Sequence, residues 1–491
     1  MKRYFVFLLM VLSAILCVSM VSAAGSRDDR GVTARSNANP ETPEVDTAEG
    51  NLPVVFRALS SGITTRVSVS STGTEGNAGS YNSSISADGR YVAFLSNASN
   101  LVNGDTNGWN DIFVYDWQTG QTTRVSVASD GTPGNGDSFD PVISANGRYV
   151  AFLSYAGNLV SGDTNWEVDA FVHDRQTGQT TRVSVASDGT EGNAASADPN
   201  RSAPPAISAD GRYVTFSSNA SNLINGDTNG NIPDIFVHDQ QTGQTTCVSI
   251  ASNGTQGNSE SLYPSISADG RYVAFYSLAS NLVSGDTNGA VDTFVHDRQT
   301  GQTTRVSVAS DGTQGNSDSS YPANPSPHAI SADGHYVAFC SNASNLVSGD
   351  TNGMEDIFVH DRQTGQTTRV SVASDGTQGN AWSFHPAISA DGQYVAFYSL
   401  ASNLVSGDTA NWDTFVHDQQ TGQTARVSVA SDGTPGNVDS YAPAISADGR
   451  YVAFDSNASN LVSSDTNGRQ DIFVHDRGPE LSQVYLPLVT R

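Results

Sequence analysis

Short runs in which apolar and polar residues alternate fill the chain from about residue 60 to residue 477, and clusters of glycine, aspartate and asparagine separate them. These runs are rich in Val, Ile, Phe, Tyr and Thr, which is typical of β-strands joined by tight turns. No segment sustains the 3.6-residue period of an amphipathic helix. The pattern therefore predicts an all-β chain and excludes a helical repeat protein.

One string, SADGRYVAF, recurs with small changes and gives the chain an internal repeat. Its glycine falls at Gly89, Gly147, Gly211, Gly270, Gly334, Gly392 and Gly449, at spacings of 58, 64, 59, 64, 58 and 57 residues. A second string, DIFVHD, and a third, TTRVSV, also occur seven times each. With the PAIS segment as strand A, RYVAF as B, DIFVHD as C and TTRVSV as D, each unit has the four strands of a propeller blade. We expect a seven-bladed β-propeller of four-stranded antiparallel blades.

The third string is out of phase with the other two. Its first copy, at residues 64–69, precedes the first SADG turn, and no copy follows the last DIFVHD. Pairing residues 64–69 with the strand around Phe473 would complete the last blade and leave no exposed sheet edge. The offset thus predicts a closed ring over residues 60–477, with an N-terminal strand completing the seventh blade.

The N-terminus has the pattern of a secretory signal peptide over residues 1–23: a basic start, an apolar stretch from Tyr4 to Met20, and a small-residue cleavage site ending at Ala23. A polar linker, predicted to be disordered, covers residues 24–59, and residues 478–491 form a C-terminal tail. No other segment is apolar for long enough to span a membrane. The protein is predicted to be secreted, periplasmic or at the cell surface.

The formal net charge of −26 argues against nucleic acid and anionic membrane surfaces as partners. Only Cys247 and Cys340 remain after the predicted leader, too few for a disulfide framework. The chain is expected to be monomeric and to carry no certain cofactor, with calcium as the one candidate.

The repeat ISADGRYVAF…DIFVHDRQTGQTTRVSV resembles the TolB-like, or WD-repeat-like, propeller repeat, whose units carry a Ser-Pro-Asp-Gly turn and two short strands of similar sequence. The resemblance covers nearly all of the chain after the leader and implies the propeller fold. It implies little about activity, because such propellers serve as binding scaffolds in many settings. There are two departures: alanine takes the proline position in every turn, and the α/β domain of TolB itself is missing.

Connectivity sorts the loops onto two faces of the predicted ring. The A–B and C–D turns are short and share one face, whereas the B–C and D–A loops are long, polar and acidic and share the other. Four tryptophans fall on this long-loop face: Trp109, Trp166, Trp382 and Trp412. Because binding residues are usually carried on loops held by a rigid scaffold, we predict a non-catalytic protein that binds a protein or a carbohydrate there. The tryptophans would also suit caps on the hydrophobic ends of blades.

The B–C loops carry the pattern D-T-N-G-x-x-D, which raises a calcium hypothesis because hard cations prefer oxygen ligands around a tight turn. Four blades keep the pattern, and their candidate ligands are Asp105, Asn107, Asp111, Asp286, Asn288, Asp292, Asp350, Asn352, Asp356, Asp465, Asn467 and Asp471. The other three copies change the glycine or the spacing. A shared ion site should resist such changes, so we favour an Asx-type turn that leads into strand C.

Six histidines occupy one strand-C position in six blades, so the ring spreads them apart and a structural role is expected. No G-x-S-x-G nucleophile motif is present. The alternative to a binding scaffold is a propeller enzyme, a lyase or glycoside hydrolase, that uses carboxylates near the central channel. In that case one or two blades should break the repeat inward with unique charged residues.

Overall fold

The computed structural model describes residues 62–197, 203–319, 328–408 and 411–478. All of them lie in one compact unit that spans Leu59–Arg491. The predicted signal peptide, the linker and the tail beyond Gly478 lie outside the described residues. Within the described ranges, no helical segment has both the length and the apolar character needed to cross a lipid bilayer.

The described residues form 28 strands in seven antiparallel four-stranded sheets. In chain order they are β1 (Ile63–Arg66), β2 (Ser80–Ile85), β3 (Tyr91–Ser96), β4 (Asp111–Asp116), β5 (Gln121–Arg124), β6 (Ser138–Ile143), β7 (Tyr149–Ser154), β8 (Asp169–Asp174), β9 (Gln179–Arg182), β10 (Ala206–Ile207), β11 (Tyr213–Ser218), β12 (Asp234–Asp239), β13 (Gln244–Cys247), β14 (Ser261–Ile266), β15 (Tyr272–Ser277), β16 (Asp292–Asp297), β17 (Gln302–Arg305), β18 (Ala329–Ile330), β19 (Tyr336–Ser341), β20 (Asp356–Asp361), β21 (Thr367–Arg369), β22 (Ser383–Ile388), β23 (Tyr394–Ser399), β24 (Asp413–Asp418), β25 (Gln423–Arg426), β26 (Ser440–Ile445), β27 (Tyr451–Ser456) and β28 (Asp471–Asp476). Blades 1 to 6 take β2 to β25 in consecutive fours, as strands A to D. Strands A of neighbouring blades contact one another, so they surround the axis of the ring.

Blade 7 combines both ends of the ring and confirms the predicted closure. It consists of β26, β27 and β28 with β1 as its outermost strand. The register joins Ile63 to Asp476 and Arg66 to Phe473. The closing strand is shorter than the predicted run at residues 64–69, because it ends at Arg66, although the Val67 amide still donates to the Ile472 carbonyl (2.8 Å).

The apolar residues of strands B and C are buried on both sides because every blade is packed between two others. In blade 1, Val92 and Phe94 pack against Ala453 and Ile472 of blade 7. The intervening residue, Ala93, packs into the cluster shared with blade 2. Sheets covered on both faces read as nearly continuous hydrophobic runs, which explains the VAF and IFV segments of the repeat.

The two predicted faces are confirmed by contacts between loops. On the short-turn face, the Arg175 side chain after strand C donates to the carbonyl of Gly147 in an A–B turn. On the long-loop face, Asn107 of a B–C loop donates to the carbonyl of Gly134 in the next D–A loop (3.3 Å). Each face is therefore a ring of loops of its own kind.

Six of the seven neighbouring pairs of A–B turns on the short-turn face are joined by a hydrogen bond between alanines. The Ala87 amide donates to the Ala145 carbonyl (3.0 Å), and the Ala447 amide of blade 7 donates back to the Ala87 carbonyl (3.0 Å). The other links of this kind run from Ala209 to Ala268, Ala268 to Ala332, Ala332 to Ala390 and Ala390 to Ala447. A proline has no N–H to donate, so these bonds give a physical reason for the alanine that replaces the usual proline of the TolB-like turn.

The turn glycine also faces the neighbouring blade. Gly89 has a φ of +73°, and a Cβ there would lie 2.2 Å from the Tyr451 ring of blade 7. A side chain is excluded both by the backbone conformation and by this contact.

Candidate functional site

An arginine lies between the two aspartates of the B–C loop in blade 1. Arg124 Nη1 is 3.0 Å from Asp105 Oδ1 and 3.1 Å from Asp111 Oδ2. Asp111 is fully buried and also accepts a hydrogen bond from Ser126 Oγ (2.6 Å). Burial raises the pKa of Asp111, while its hydrogen bonds and the Arg124 charge act in the opposite direction. The guanidinium thus supplies the positive charge at the position where calcium was considered.

The same arrangement recurs in six blades, and its arginines are Arg66, Arg124, Arg182, Arg305, Arg369 and Arg426. Each arginine ends strand D and joins the B–C loop to the first residue of strand C. Sequence reasoning overlooked it, although one signal was present. The arginine of TTRVSV is the cation that recurs in step with the two loop aspartates.

The loop geometry agrees with the Asx-turn interpretation. Asn107 Oδ1 accepts the Trp109 amide (3.0 Å), and Asn107 Nδ2 donates to Asp111 Oδ2 (2.9 Å). The candidate loops of blades 4, 5 and 7 bring their two aspartates to Arg305, Arg369 and Arg66 at 3.3–3.5 Å. Calcium binding by these residues stays a prediction, and it would require the guanidinium to leave.

Blade 2 gathers three carboxylates around one arginine. Arg182 Nη1 lies 2.6 Å from Glu191, 3.2 Å from Asp169 and 3.8 Å from Asp163. Oxygens of the three carboxylates lie within 4.8 Å of one another, which suits a metal ion by distance alone. Burial raises the pKa of Asp169 to about 6. Because Arg182 already contacts all three groups, the cluster is an ion-pair network with one more acidic residue than in blade 1.

Blade 3 is the exception, since Cys247 replaces the arginine. Here Gln256 Nε2 lies 2.6 Å from Asp234 Oδ2 and 3.2 Å from Asp227 Oδ1. An amide thus takes over the donor role of the guanidinium. Burial raises the pKa of the Cys247 thiol to about 12, so the thiol stays protonated and is a poor nucleophile.

The four predicted tryptophans fall into two groups. Trp109 and Trp382 are each 43% exposed and Trp166 is 84% exposed. Trp412 is half-buried, with its ring 5.2 Å from Tyr398 and 5.7 Å from Phe384. The capping interpretation therefore suits Trp412, whereas the other three rings are free to contact a ligand.

Trp166 has an unusual backbone. Its φ is +61°, at the loop position where blades 1, 4, 5 and 7 carry Gly108, Gly289, Gly353 and Gly468. A left-handed conformation costs a bulky L-residue about 1–2 kcal/mol. The ring is exposed, so packing does not recover this cost.

The third residue of strand A differs from blade to blade. In the five six-residue A strands this residue has a positive φ and a local register shift, and it is Asn82, Asp140, Tyr263, His385 or Ala442. Asn82 Nδ2 donates to Asp140 Oδ1 (3.0 Å), which joins neighbouring blades near the axis. Burial lowers the pKa of His385 to about 4. The repeat therefore varies at one position of the innermost strand, which the short strings did not reveal.

Asp455, near the long-loop end of strand B in blade 7, is a buried carboxyl with few hydrogen-bond partners. Its Oδ2 accepts from Gln470 Nε2 (2.5 Å), and no described side chain pairs with its Oδ1. Burial raises the pKa of Asp455 to about 7. Blades 1 and 2 carry Leu95 and Leu153 at this position, so the ring does not require a carboxyl there.

The histidines of strand C have a structural role in the described ring. In six blades, Nδ1 of this histidine lies 2.8–2.9 Å from a threonine hydroxyl of strand D. Burial lowers the pKa of His173, which keeps the ring neutral. The arrangement repeats around the ring and does not converge on one point.

Comparisons with known proteins give similarities to solved structures alone. No family model matches the chain, and no curated protein matches it. Among solved structures, TolB from Acinetobacter baumannii is similar over 73% of this chain and 67% of its own, at 16% identity and a TM-score of 0.39. Oligogalacturonate lyase from Vibrio parahaemolyticus is similar over 85% and 94%, at 13% identity and a TM-score of 0.49. The propeller domain of the Trilobed protease from Pyrococcus furiosus is similar over 84% and 99%, at 11% identity and a TM-score of 0.48. The propeller fold rests on the seven sheets described above, and the similar structures include both TolB and enzymes.

Proposed function

We propose that this protein is an exported, monomeric propeller scaffold that binds a protein or carbohydrate partner through its acidic long-loop face, without catalysis. The observation that carries the proposal is the contrast between the faces. The short turns are engaged in bonds between blades, whereas three exposed tryptophans lie on the long loops. Exposed indoles on rigid loops are the residues that most often dominate a binding interface.

The long loops are rigid enough to act as a preformed surface. An arginine ties the start of strand C to the B–C loop in six blades, and the loops also bond to the next blade, as in the contact from Asn110 N to Asp137 Oδ1 (2.8 Å). A surface that is ordered before binding loses less entropy when the partner docks.

The experiment blocks one face at a time. Cysteines introduced at Asn103 (B–C loop) or Gln118 (C–D turn), both exposed in blade 1, are coupled to polyethylene glycol. The immobilised protein is then exposed to the extracellular fraction of the cells that produce it. We expect polymer at Asn103 to abolish capture of the partner and polymer at Gln118 to leave it unchanged. The reverse result, or equal loss at both sites, would contradict the proposal.

Export is tested separately. The leader pattern predicts cleavage after Ala23. N-terminal sequencing of the protein from the culture medium or periplasm should therefore begin at Ala24. Recovery of the intact chain in the cytoplasm alone would contradict export.

A second candidate function, a propeller enzyme, is favoured by the unlike residues at one position of the innermost strands. Asp140 and His385 are chemically active side chains at positions that differ in all five described long A strands. A lyase or hydrolase acting on an acidic or neutral polysaccharide would release new chain ends. Turnover by the wild type that is lost in both Asp140→Asn and His385→Ala would favour the enzyme over the scaffold.

A further inference from the structure

Blades 1 and 2 carry four exposed aromatic side chains, here called the aromatic arc. Its members are Tyr81, Trp109, Tyr155 and Trp166, which are 38%, 43%, 41% and 84% exposed. Seven large hydrophobic side chains are exposed among the described residues, and these four account for all of those between residues 81 and 166. None of the four is aliphatic.

Two members of the arc are fixed by one residue. The Asn110 amide, next to Trp109, donates to Asp137 Oδ1 (2.8 Å), and the Tyr155 amide donates to the Asp137 carbonyl (2.9 Å). The Tyr155 ring also lies 5.8 Å from Phe139 of β6. Trp109 and Tyr155 therefore belong to the same rigid junction between blades 1 and 2.

Trp166 extends the arc toward blade 3, in a loop that is anchored in the same manner. Asn165 Nδ2 donates to the Gly192 carbonyl (2.9 Å), and Thr164 Oγ1 donates to Glu191 (2.7 Å). The left-handed backbone at Trp166 has a cost that the exposed ring does not offset by packing. A contact between the Trp166 ring and a ligand would offset this conformational cost.

We propose that the aromatic arc binds an uncharged polysaccharide chain, with sugar rings stacked on the aromatic faces. This inference rests on the proposed function and names the partner class of the same face. Several exposed rings on neighbouring loops suit a ligand with flat repeating units, because each ring face offers an apolar platform. Asp137 and the exposed Glu167 beside the rings can accept hydrogen bonds from hydroxyl groups.

Charge favours an uncharged chain over an anionic one. The described arginines beneath these loops, Arg124 and Arg182, are already bound to carboxylates. The protein as a whole has a formal charge of −26. An anionic polymer would therefore meet net repulsion, although Arg469 on the adjacent B–C loop of blade 7 is an exposed cation.

The test is native electrophoresis through gels that contain hydroxyethyl cellulose, galactomannan or mixed-linkage β-glucan, with polygalacturonate as the anionic control. We expect at least one uncharged polymer to retard the wild type and polygalacturonate not to do so. Trp109→Ala and Trp166→Gly should each bind about tenfold more weakly, since one lost aromatic contact at a binding centre has an effect of this order.

The matched control is Val438→Ala. Val438 is 42% exposed, close to the 43% of Trp109, but it lies in the D–A loop before strand A of blade 7 and outside the arc. Its variant should bind within about twofold of the wild type. Trp166→Gly restores the glycine of the sister loops, so loss of binding by this variant is not explained by misfolding.

Three outcomes would overturn the inference: no retardation by any uncharged polymer, equal retardation by polygalacturonate, or equal loss in Val438→Ala and Trp109→Ala. The proposed function is judged separately. If polymer at Asn103 still blocks capture of a protein partner, the scaffold stands and only the polysaccharide is wrong. If neither capture nor retardation depends on this face, both are wrong.

Discussion

The two faces of the ring are built from the same seven repeats but use them differently. On the short-turn face, alanine amides link the turns of neighbouring blades, and Arg90 pairs with Asp116 at 2.7 Å while lying over the Tyr91 ring. On the long-loop face, the arginine of each anchor is nearly buried and the outermost residues vary from blade to blade. The short turns join neighbouring blades, whereas the long loops present different exposed residues on the same repeated anchors.

The difference shows where repetition is required. Contacts between neighbouring blades are kept in nearly every repeat, as in the six alanine links, and so are the six arginine anchors within blades. A residue outside those contacts is free to vary. Positions that differ among the repeats, such as Trp166 and Asp455, are therefore the informative ones for function.

The largest expected effect comes from breaking an anchor beneath the long-loop face. Arg124→Ala leaves Asp105 and Asp111 buried without their cation. Removal of one partner of a buried ion pair typically costs about 3–5 kcal/mol. Chemical denaturation should show a loss of this size, whereas Cys247→Ala in blade 3, where no arginine is present, should lose much less.

The same variant sharpens the calcium hypothesis. Millimolar calcium should leave the melting temperature of the wild type unchanged if the guanidinium holds the site, and should raise that of Arg124→Ala if the freed carboxylates bind the ion. A rise in the wild type that a chelator reverses would show that calcium displaces the arginine.

A pH-dependent effect is expected at Asp455, on the long-loop side of blade 7. The pKa of this carboxyl is raised to about 7 by burial, against 3.8 for an ordinary aspartate. The protonated carboxyl makes its full contribution to the free energy of unfolding below about pH 4. This contribution is lost as the pH rises to about 7, and the loss is about 4 kcal/mol at most. Asp455→Asn and Asp455→Leu should therefore match the wild type at pH 4 and unfold at higher denaturant concentration at pH 8.

Asp476 on the short-turn side is the control of opposite sign. A hydrogen bond from Arg450 lowers the pKa of Asp476. Its contribution is present above the ordinary aspartate pKa and disappears as the pH falls through the lowered value. Asp476→Asn should destabilise the ring at pH 7 and have less effect in acid.

An Asp455 variant that gains nothing at pH 8 would show that the buried carboxyl is stabilised in another manner.

The hydrogen-bonded ring of the short-turn face is tested by proline. Ala87→Pro removes the amide that donates to Ala145, and it places the residue that TolB-like turns carry. Ala145→Pro is the matched control, because within the described ring no such bond is formed by the Ala145 amide. The difference between the two variants should be about 1 kcal/mol, the net value of one hydrogen bond. Equal stability would mean that the ring of bonds adds nothing.

The smallest effect is a gain in stability. Trp166→Gly relieves a left-handed tryptophan, so the free energy of unfolding should rise by about 1 kcal/mol. Calorimetry measures the rise, with Trp382→Ala as the control at an exposed tryptophan that has no positive φ to relieve. A loss of stability would mean that the indole packs in solution and is not held ready for a ligand.

Sequence reasoning was strongest for the fold. The repeat predicted the blade count, the strand order, the closing strand around Phe473 and the division of loops between two faces, and the structure confirms each. It was weaker at the candidate site. The Asp105 and Asp111 pair was identified, but Arg124 was not, since thirteen residues and one hairpin separate Asp111 from its arginine. The four tryptophans were grouped as one set, whereas Trp412 packs inside blade 6.

The sequence by itself determined the architecture, because the alternation of side chains and the spacing of turn residues are local properties that repeat seven times. Only the tertiary structure decided which charges meet and which rings are covered, because those outcomes depend on where the next blade lies. The arginine between the loop aspartates, the amides that join the short turns and the exposure of Trp166 all arise from contacts, or missing contacts, between segments distant in the chain.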